Sequence, residues 1–353
     1  MDRFTYTGLP ARVLFGAGTL TSVADEVRGL DRGRALVLST PGHKQKAEEV
    51  LGLLGDLGAG IFAEAAMHTP VEVTDRALDV VLDRQADCLV AIGGGSTVGL
   101  SKAIAYRTDL PQIAIPTTYA GSEMTRILGQ TEGGRKTTVV TPTVLPEVAI
   151  YDVELTYSLP PHIAATSGMN AIAHAVEGLY AKDRNPVMSL VAEEAISIMG
   201  EALPRVVAAP DDTEARAQAF YGAWLCSMVL GSVGTALHHK LCHTLGGAFG
   251  LPHAETHTVV LPHAASFNAE AARDEMSRAA RLLGAKGIGQ GLYDLAKRMN
   301  APTSLKELDM PEDGLDRAAD LATQNPYWNP RSFTREDIRE LLDDAWHGRR
   351  PAN

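Results

Sequence analysis

The chain has 353 residues, 45% hydrophobic and 21% charged, with 32 Lys and Arg against 43 Asp and Glu. That balance is globular rather than disordered, and the length suits two domains of ordinary size. A net charge of −11 disfavours nucleic acid and anionic membrane as partners, so an anionic ligand needs a local cluster of donors.

The opening stretch MDRFTYTGLPARVLFG lacks the apolar core of a secretory signal. No apolar run reaches the ~18 residues of a membrane span. Cys88, Cys226 and Cys242 are odd in number and form no CxxC pair. These features lead to the expectation of a cytoplasmic chain with reduced thiols, and Cys242 reads as a small buried residue. Short apolar runs then recur: RALVLST from Arg34, GIFAEA from Gly60, DCLVAIGG from Asp87, QIAIPTT from Gln112 and VAIYD from Val148. Amphipathic segments such as KAEEVLGLLGDLG and VTDRALDVVLDRQ lie between them. Apolar strands alternating with helices predict a parallel sheet covered on both faces. Residues 1–155 are therefore expected to form an α/β domain with Rossmann-like dinucleotide binding. ELTYSLPP continues neither strand nor helix, and the pattern beyond it is helical. EEAISIMGEALPRVV, ARAQAFYGAWLCSMVLGSVGTALHHKLCHTLGG, EMSRAARLLGA and REDIRELLDDAWHG all read as helix. Residues 156–353 are expected to form an all-α catalytic domain, with cofactor and substrate meeting in a cleft between the two domains.

AIGGGSTVGLSKAIA from Ala91 ends a buried strand in three glycines and opens a helix at once. Glycines allow close backbone approach, and a helix start offers free N–H groups to a phosphate. Gly93, Gly94, Gly95, Ser96 and Thr97 are expected to cradle a dinucleotide pyrophosphate, although the motif is not GxGxxG. IPTTYAGSEMT from Ile115 follows another strand and sets Thr117, Thr118, Ser122 and Thr125 near its end, where α/β sheets bind ligands. Ser122 and Glu123 also suit a capped helix start. Lys136 reads as a charge near the nucleotide or as a solvated surface lysine. Asn170 and His174 are four apart and share a helix face, as do His239 and His243, and His253 follows in LPHAETH. HAETH is not HExxH, which excludes a zinc-protease helix. His238, His257 and His263 read as structural or surface residues.

Together with FGAG at Phe15–Gly18 and GMNAIAHAVE at Gly168, these motifs in this order resemble the iron-containing alcohol dehydrogenase family, whose fold is related to dehydroquinate synthase. The resemblance covers nearly the whole chain and implies that fold, a nicotinamide cofactor and a homodimer. In that family an Asp and three His hold a metal. The Asp matches Asn170, the His match His174, His239 and His253, and a catalytic-site histidine matches His243. An Asn offers only a neutral carbonyl. Three neutral histidines still suit zinc, but a hard ferrous ion suffers most, so the site is expected to be vestigial with metal weak or absent.

Losing the metal constrains the chemistry. Carbonyl reduction develops an alkoxide that a Lewis acid stabilises. Reduction of a C=C bond conjugated to a ketone develops a delocalised enolate, which fixed hydrogen-bond donors can stabilise. Gly99 stands where the alcohol dehydrogenases usually carry Asp, Tyr119-Ala120 alters the second turn, and QNPYWNPR begins at Gln324. These features resemble the maleylacetate reductase branch of the family. That implies NAD(P)H-dependent reduction of maleylacetate to 3-oxoadipate in aromatic-compound degradation. His243 is then the expected proton donor, and His239, His253 and Lys240 the other catalytic donors. Asn170, His174, Arg126, Tyr327, Asn329 and Arg331 are expected to bind the dicarboxylate. Thr117, Thr118, Tyr119, Ser122, Thr40 and Lys136 join the glycine turn around the cofactor. Ser39 and Thr40 carry no charge to repel a 2′-phosphate, so NADH is expected to be accepted and NADPH not excluded. The runner-up is a metal-dependent alcohol or polyol dehydrogenase of the same family.

Overall fold

The computed structural model describes residues 4–9, 11–325 and 327–352, so Pro326 of the QNPYWNPR motif lies outside the described residues. The chain divides into two compact units. One is Gly8–Leu159; the other runs from Pro160 and also includes residues 4–7.

The first unit is built on a six-stranded sheet. Its strands are β1 (Arg12–Phe15), β2 (Ala35–Leu38), β3 (Gly58–Phe62), β4 (Cys88–Gly93), β5 (Gln112–Pro116) and β8 (Val148–Tyr151). All pairings are parallel, in the order β1-β8-β5-β4-β2-β3. The period-two alternation of the apolar runs decides which helix covers which face. Ala35, Val37, Cys88, Val90 and Ile92 pack with α1 (Val23–Gly29) and α2 (Lys44–Leu54). Leu36, Leu38, Leu89 and Ala91 pack with α3 (Val71–Asp83) and α4 (Gly95–Thr108). The strand order reverses between β2 and β4, the topological switch at which open α/β sheets bind ligands.

Two elements of this unit escape the apolar-run reading. β1 is a four-residue edge strand. The hairpin β6 (Ile127–Glu132) and β7 (Arg135–Val140) is largely exposed, so it carries no buried run. Its signal is the Gly133-Gly134 pair, both at positive φ, which makes the two-residue turn.

The second unit is helical. It comprises α5 (Pro161–Tyr180), α6 (Pro186–Ala208), α7 (Thr213–Ser232), α8 (Leu237–Phe249), α9 (His253–Asn268), α10 (Arg273–Leu282), α11 (Ile288–Arg298), α12 (Leu315–Thr323) and α13 (Arg335–His347). Helix α5 is buried from Ala164 through Tyr180. Its small residues let neighbours approach: a Cβ on Gly178 would stand 2.2 Å from Val229 Cγ1 of α7. The stretch read as one helix from Ala215 to Gly247 is two helices. Extended backbone at Val233 ends α7, and α8 departs at 95°. Among the described residues no single helix is long and apolar enough to cross a membrane.

Candidate active site

In the helical unit, α5, α8 and α9 bring six histidines together. Asn170, His174 and Glu177 fall at i, i+4 and i+7 of α5, on one face. Helix α8 supplies His238, His239 and His243, and α9 supplies His253 and His257. His174 stacks on His239 with ring centroids 5.2 Å apart. His239 lies 6.2 Å from His243, which lies 6.4 Å from His253. His257 sits among them, 4.3 Å from His253 and 4.9 Å from His239. His238 and His257 are therefore not surface residues: both are fully buried inside the cluster.

Glu177 organises one side of the group and was missed in the sequence, where it stands three residues past His174. Its Oε2 accepts from His239 Nδ1 at 2.6 Å and from Ala236 N at 3.0 Å. Its Oε1 accepts from His238 N at 2.8 Å and from Tyr180 Oη at 3.4 Å. Helix α8 has no side-chain cap of its own at Ala236, so the Glu177 carboxylate takes up its orphan N–H groups and faces the positive end of its dipole. The same carboxylate fixes His239 with Nδ1–H toward the acid and Nε2 turned away. His239 Nε2, Asn170 Oδ1 and His174 Nδ1 are all buried and have no hydrogen-bond partner among the described residues. Burial, reinforced by the neighbouring histidines, holds His174, His238 and His257 well below the ordinary imidazole range, so these rings stay neutral.

Lys240, one residue past His239, places its Nζ 5.6 Å over the Tyr327 ring. The Tyr327 hydroxyl is buried and has no partner among the described residues. Asn329 and Arg331 take another direction. The Asn329 amide exchanges hydrogen bonds with Asn268 at 2.7 and 3.0 Å, at the end of α9. Arg331 stacks 3.8 Å over Phe267, donates to Phe267 O and faces Asp337 at 3.6 Å. These contacts gather Lys240 and Tyr327 together and hold Asn329 and Arg331 at the far end of α9.

In the sheet unit, Gly93 closes β4 at φ 150°, where a Cβ would stand 2.5 Å from Thr97 Oγ1. Gly94 lies against Thr118, with 3.0 Å from the position of its missing Cβ to Oγ1. Thr117 N donates to Gly93 O. The two turns thus meet at the carboxyl ends of adjacent strands. The hydroxyls of Ser39, Thr97 and Thr117 are buried there without partners among the described residues. Gly95 is exposed, and Ser96 and Ser122 are half-buried. Tyr119 is buried and Arg126 half-buried. Thr40 Oγ1 meets His43 Nδ1 at 3.0 Å. Lys136 is exposed on β7.

Lys102, in the helix that the glycine turn opens, is a second residue the sequence reading passed over. It is fully buried, and its Nζ donates to Thr125 O, Thr125 Oγ1 and Ile127 O at 2.8, 2.8 and 3.0 Å. Burial pushes this amine down to about 7. It pins the loop that carries Tyr119, Ser122 and Arg126 to α4.

Two family models match the chain: "Iron-containing alcohol dehydrogenase" over residues 10–153 and "Fe-containing alcohol dehydrogenase family, C-terminal" over residues 164–346. The chain belongs to the iron-containing alcohol dehydrogenase family. It is 57% identical to maleylacetate reductase from Rhizobium sp. (strain MTP-10005) over 351 residues, 99% of this chain and 100% of the relative. The crystal structure of maleylacetate reductase from Agrobacterium tumefaciens matches with a TM-score of 0.97 at 57% identity, covering 99% of this chain and 100% of that one. Sulfoacetaldehyde reductase from Bifidobacterium kashiwanohense, solved in complex with NAD+, matches with a TM-score of 0.90 at 25% identity, covering 97% and 98%.

Proposed function

We propose that this protein is a maleylacetate reductase, transferring hydride from NADH to the C=C bond of maleylacetate to give 3-oxoadipate. The observation that carries the reading is Asn170, in place of a carboxylate, buried beside His174 and His239 in the histidine cluster of a chain 57% identical to a maleylacetate reductase.

The glycine turn suits a dinucleotide. Gly93–Gly95 offer close backbone approach and the start of α4, and the orphan hydroxyls of Ser39, Thr97 and Thr117 lie beside it. NADH bound there supplies the hydride. Transfer to the alkene carbon β to the ketone moves the π electrons onto the ketone oxygen as an enolate. The exposed His253 imidazole stabilises that charge as a hydrogen-bond donor, whereas His239, whose Nδ1–H is committed to Glu177, presents a bare Nε2 and does not serve as the donor expected from the sequence. His243 delivers a proton to the α carbon, which completes the two-electron, two-proton reduction. Lys240 and the Tyr327 hydroxyl bind a substrate carboxylate.

A ferrous ion fits this donor set poorly. Asn170 brings no charge, and the oxygens of the nearest buried carboxylate, Glu177, are engaged by four donors. Among the described residues the group whose ligand atoms gather within 4.8 Å is His238, Cys242 and His257. There, two of the nitrogens bond each other at 2.9 Å, and burial pushes the Cys242 thiol well up, keeping it protonated. No step above runs through a metal. The test is NADH oxidation followed at its absorbance with maleylacetate, with and without chelator. Saturable, chelator-resistant turnover is expected. One tightly held metal per chain, with activity lost on chelation, would instead make this a metal-dependent alcohol or polyol dehydrogenase.

A further inference from the structure

Lys102 is a buried cation that the reaction above leaves unused. It lies on α4 seven residues past Gly95, two turns on and on the same helix face. It is 0% exposed; burial disfavours its charge, and the Glu123 carboxylate, itself 2% exposed, favours it. A buried charge is costly unless its hydrogens are matched. Here Nζ has three acceptors, Thr125 O, Thr125 Oγ1 and Ile127 O, the number that an ammonium serves. All three lie on one stretch, where the second turn enters β6. Thr125 Oγ1 extends the chain of bonds inward by donating to Ser122 O at 3.1 Å. The middle of the same turn is held from β8, whose last residue Tyr151 donates from Oη to Glu123 Oε1 at 2.7 Å.

The turn held in this way lies against the glycine turn. Thr117 N donates to Gly93 O. A Cβ on Gly94 would stand 3.0 Å from Thr118 Oγ1, and one on Gly95 would stand 3.7 Å from Ala120 Cβ. The start of the second turn thus packs on the glycines, and its end is tied to the helix that those glycines open. A hydrocarbon side chain at position 102 would fill the volume of the lysine stem without making that tie. We propose that Lys102 is a positioning residue for the dinucleotide, holding the turn over residues 117–125 in its cofactor-binding conformation. Being fully buried, Lys102 acts through the turn and not on the ligand. The proposal rests on the dinucleotide part of the reading above, but the tie between Lys102 and the turn stands independently of it.

The test compares the full-length parent with Lys102→Met, which keeps an unbranched stem. Apparent affinity falls in proportion to the fraction of protein in the binding conformation. The Kd for NADH, by fluorescence titration at pH 7, is therefore expected to rise about tenfold in Lys102→Met. KM for NADH with maleylacetate should rise in step, while kcat at saturating NADH stays within about threefold of the parent. In the ligand-free proteins, amide hydrogen exchange should quicken over residues 117–127 and stay unchanged in β2 and β3. A Kd within about twofold of the parent overturns the proposal. Faster exchange spread evenly over the sheet unit also overturns it, because that marks a general loss of stability. Should Lys102→Met fail to fold, Thr125→Ala removes one of the three acceptors and leaves the lysine in place. It should raise the Kd about threefold with the same local pattern of exchange, and an unchanged Kd overturns the proposal. If the parent binds no NADH, the dinucleotide reading fails, and the exchange measurements still decide whether Lys102 holds the turn.

Discussion

Glu177→Gln is the sharpest perturbation of the site, because one buried carboxylate holds both a helix start and the His239 imidazole. Glu177 accepts two bonds on each oxygen. Glutamine has one carbonyl oxygen and an amide nitrogen that only donates. Placed with its oxygen toward His238 N, it leaves Ala236 N–H facing another donor in a buried position, which costs about 1–3 kcal/mol. The charge-assisted bond from His239 Nδ1 is lost as well, about 1.5–3 kcal/mol. Relief of the carboxylate's desolvation offsets part of this, so about 3 kcal/mol of destabilisation is expected. At about 2–4 °C per kcal/mol for a unit of that size, the apparent Tm of the helical unit should fall by about 6–12 °C, read by circular dichroism. His239 should also adopt the opposite tautomer, with its proton on Nε2, read from 15N-histidine shifts, while NADH affinity is retained. A Tm shift under about 2 °C with an unchanged His239 tautomer would refute the assignment of Glu177 as cap and orienting group.

Three further outcomes follow from the geometry. Asn170→Asp restores an anionic ligand beside His174 and His239. It should raise zinc or iron affinity at least about tenfold, measured by metal analysis after equilibrium dialysis, and unchanged metal content counts against this account of the site. Gly99→Ala puts a Cβ 2.4 Å from Thr69 Oγ1, on a residue held at φ 48°. It should cost about 1–3 kcal/mol in urea unfolding, and adding Thr69→Ala should return at least half; an additive double mutant would show that the two do not touch. Lys102 is displaced to about 7 in the folded protein, against about 10.4 unfolded. The unfolded chain therefore binds the extra proton between pH 7 and 10. Stability should rise with pH across that window by up to about 1.4 kcal/mol per unit relative to Lys102→Met, and equal slopes would show that the amine is not buried as a neutral base.

How far the sequence carries depends on which physical signal each feature sends. The four central strands, β2, β4, β5 and β8, are buried on both faces, so they appear as unbroken apolar runs. β1 and the β6–β7 hairpin expose one or both faces and send almost no such signal. The bend between α7 and α8 is hidden because Gly231, Val233 and Gly234 sit within otherwise helical spacing. That bend matters for the site: it turns the start of α8 toward Glu177, which caps it. Helical spacing grouped Asn170 with His174, and His239 with His243, because each pair shares one helix face. The same spacing places Glu177 on the Asn170 face and His257 one turn after His253, yet Glu177 was passed over and His257 read as a structural or surface residue. Neither Glu177 nor His257 matches a ligand position, and their roles arise from pairing across helices: Glu177 with α8, His257 with His238. Local periodicity therefore finds residues that act from one face. The groups that orient them lie on a facing helix, where only the packed fold makes the partnership visible. The site kept its buried negative charge while position 170 lost its carboxylate. That charge is held by Glu177 behind His239, where it orients donors and is itself fully bonded.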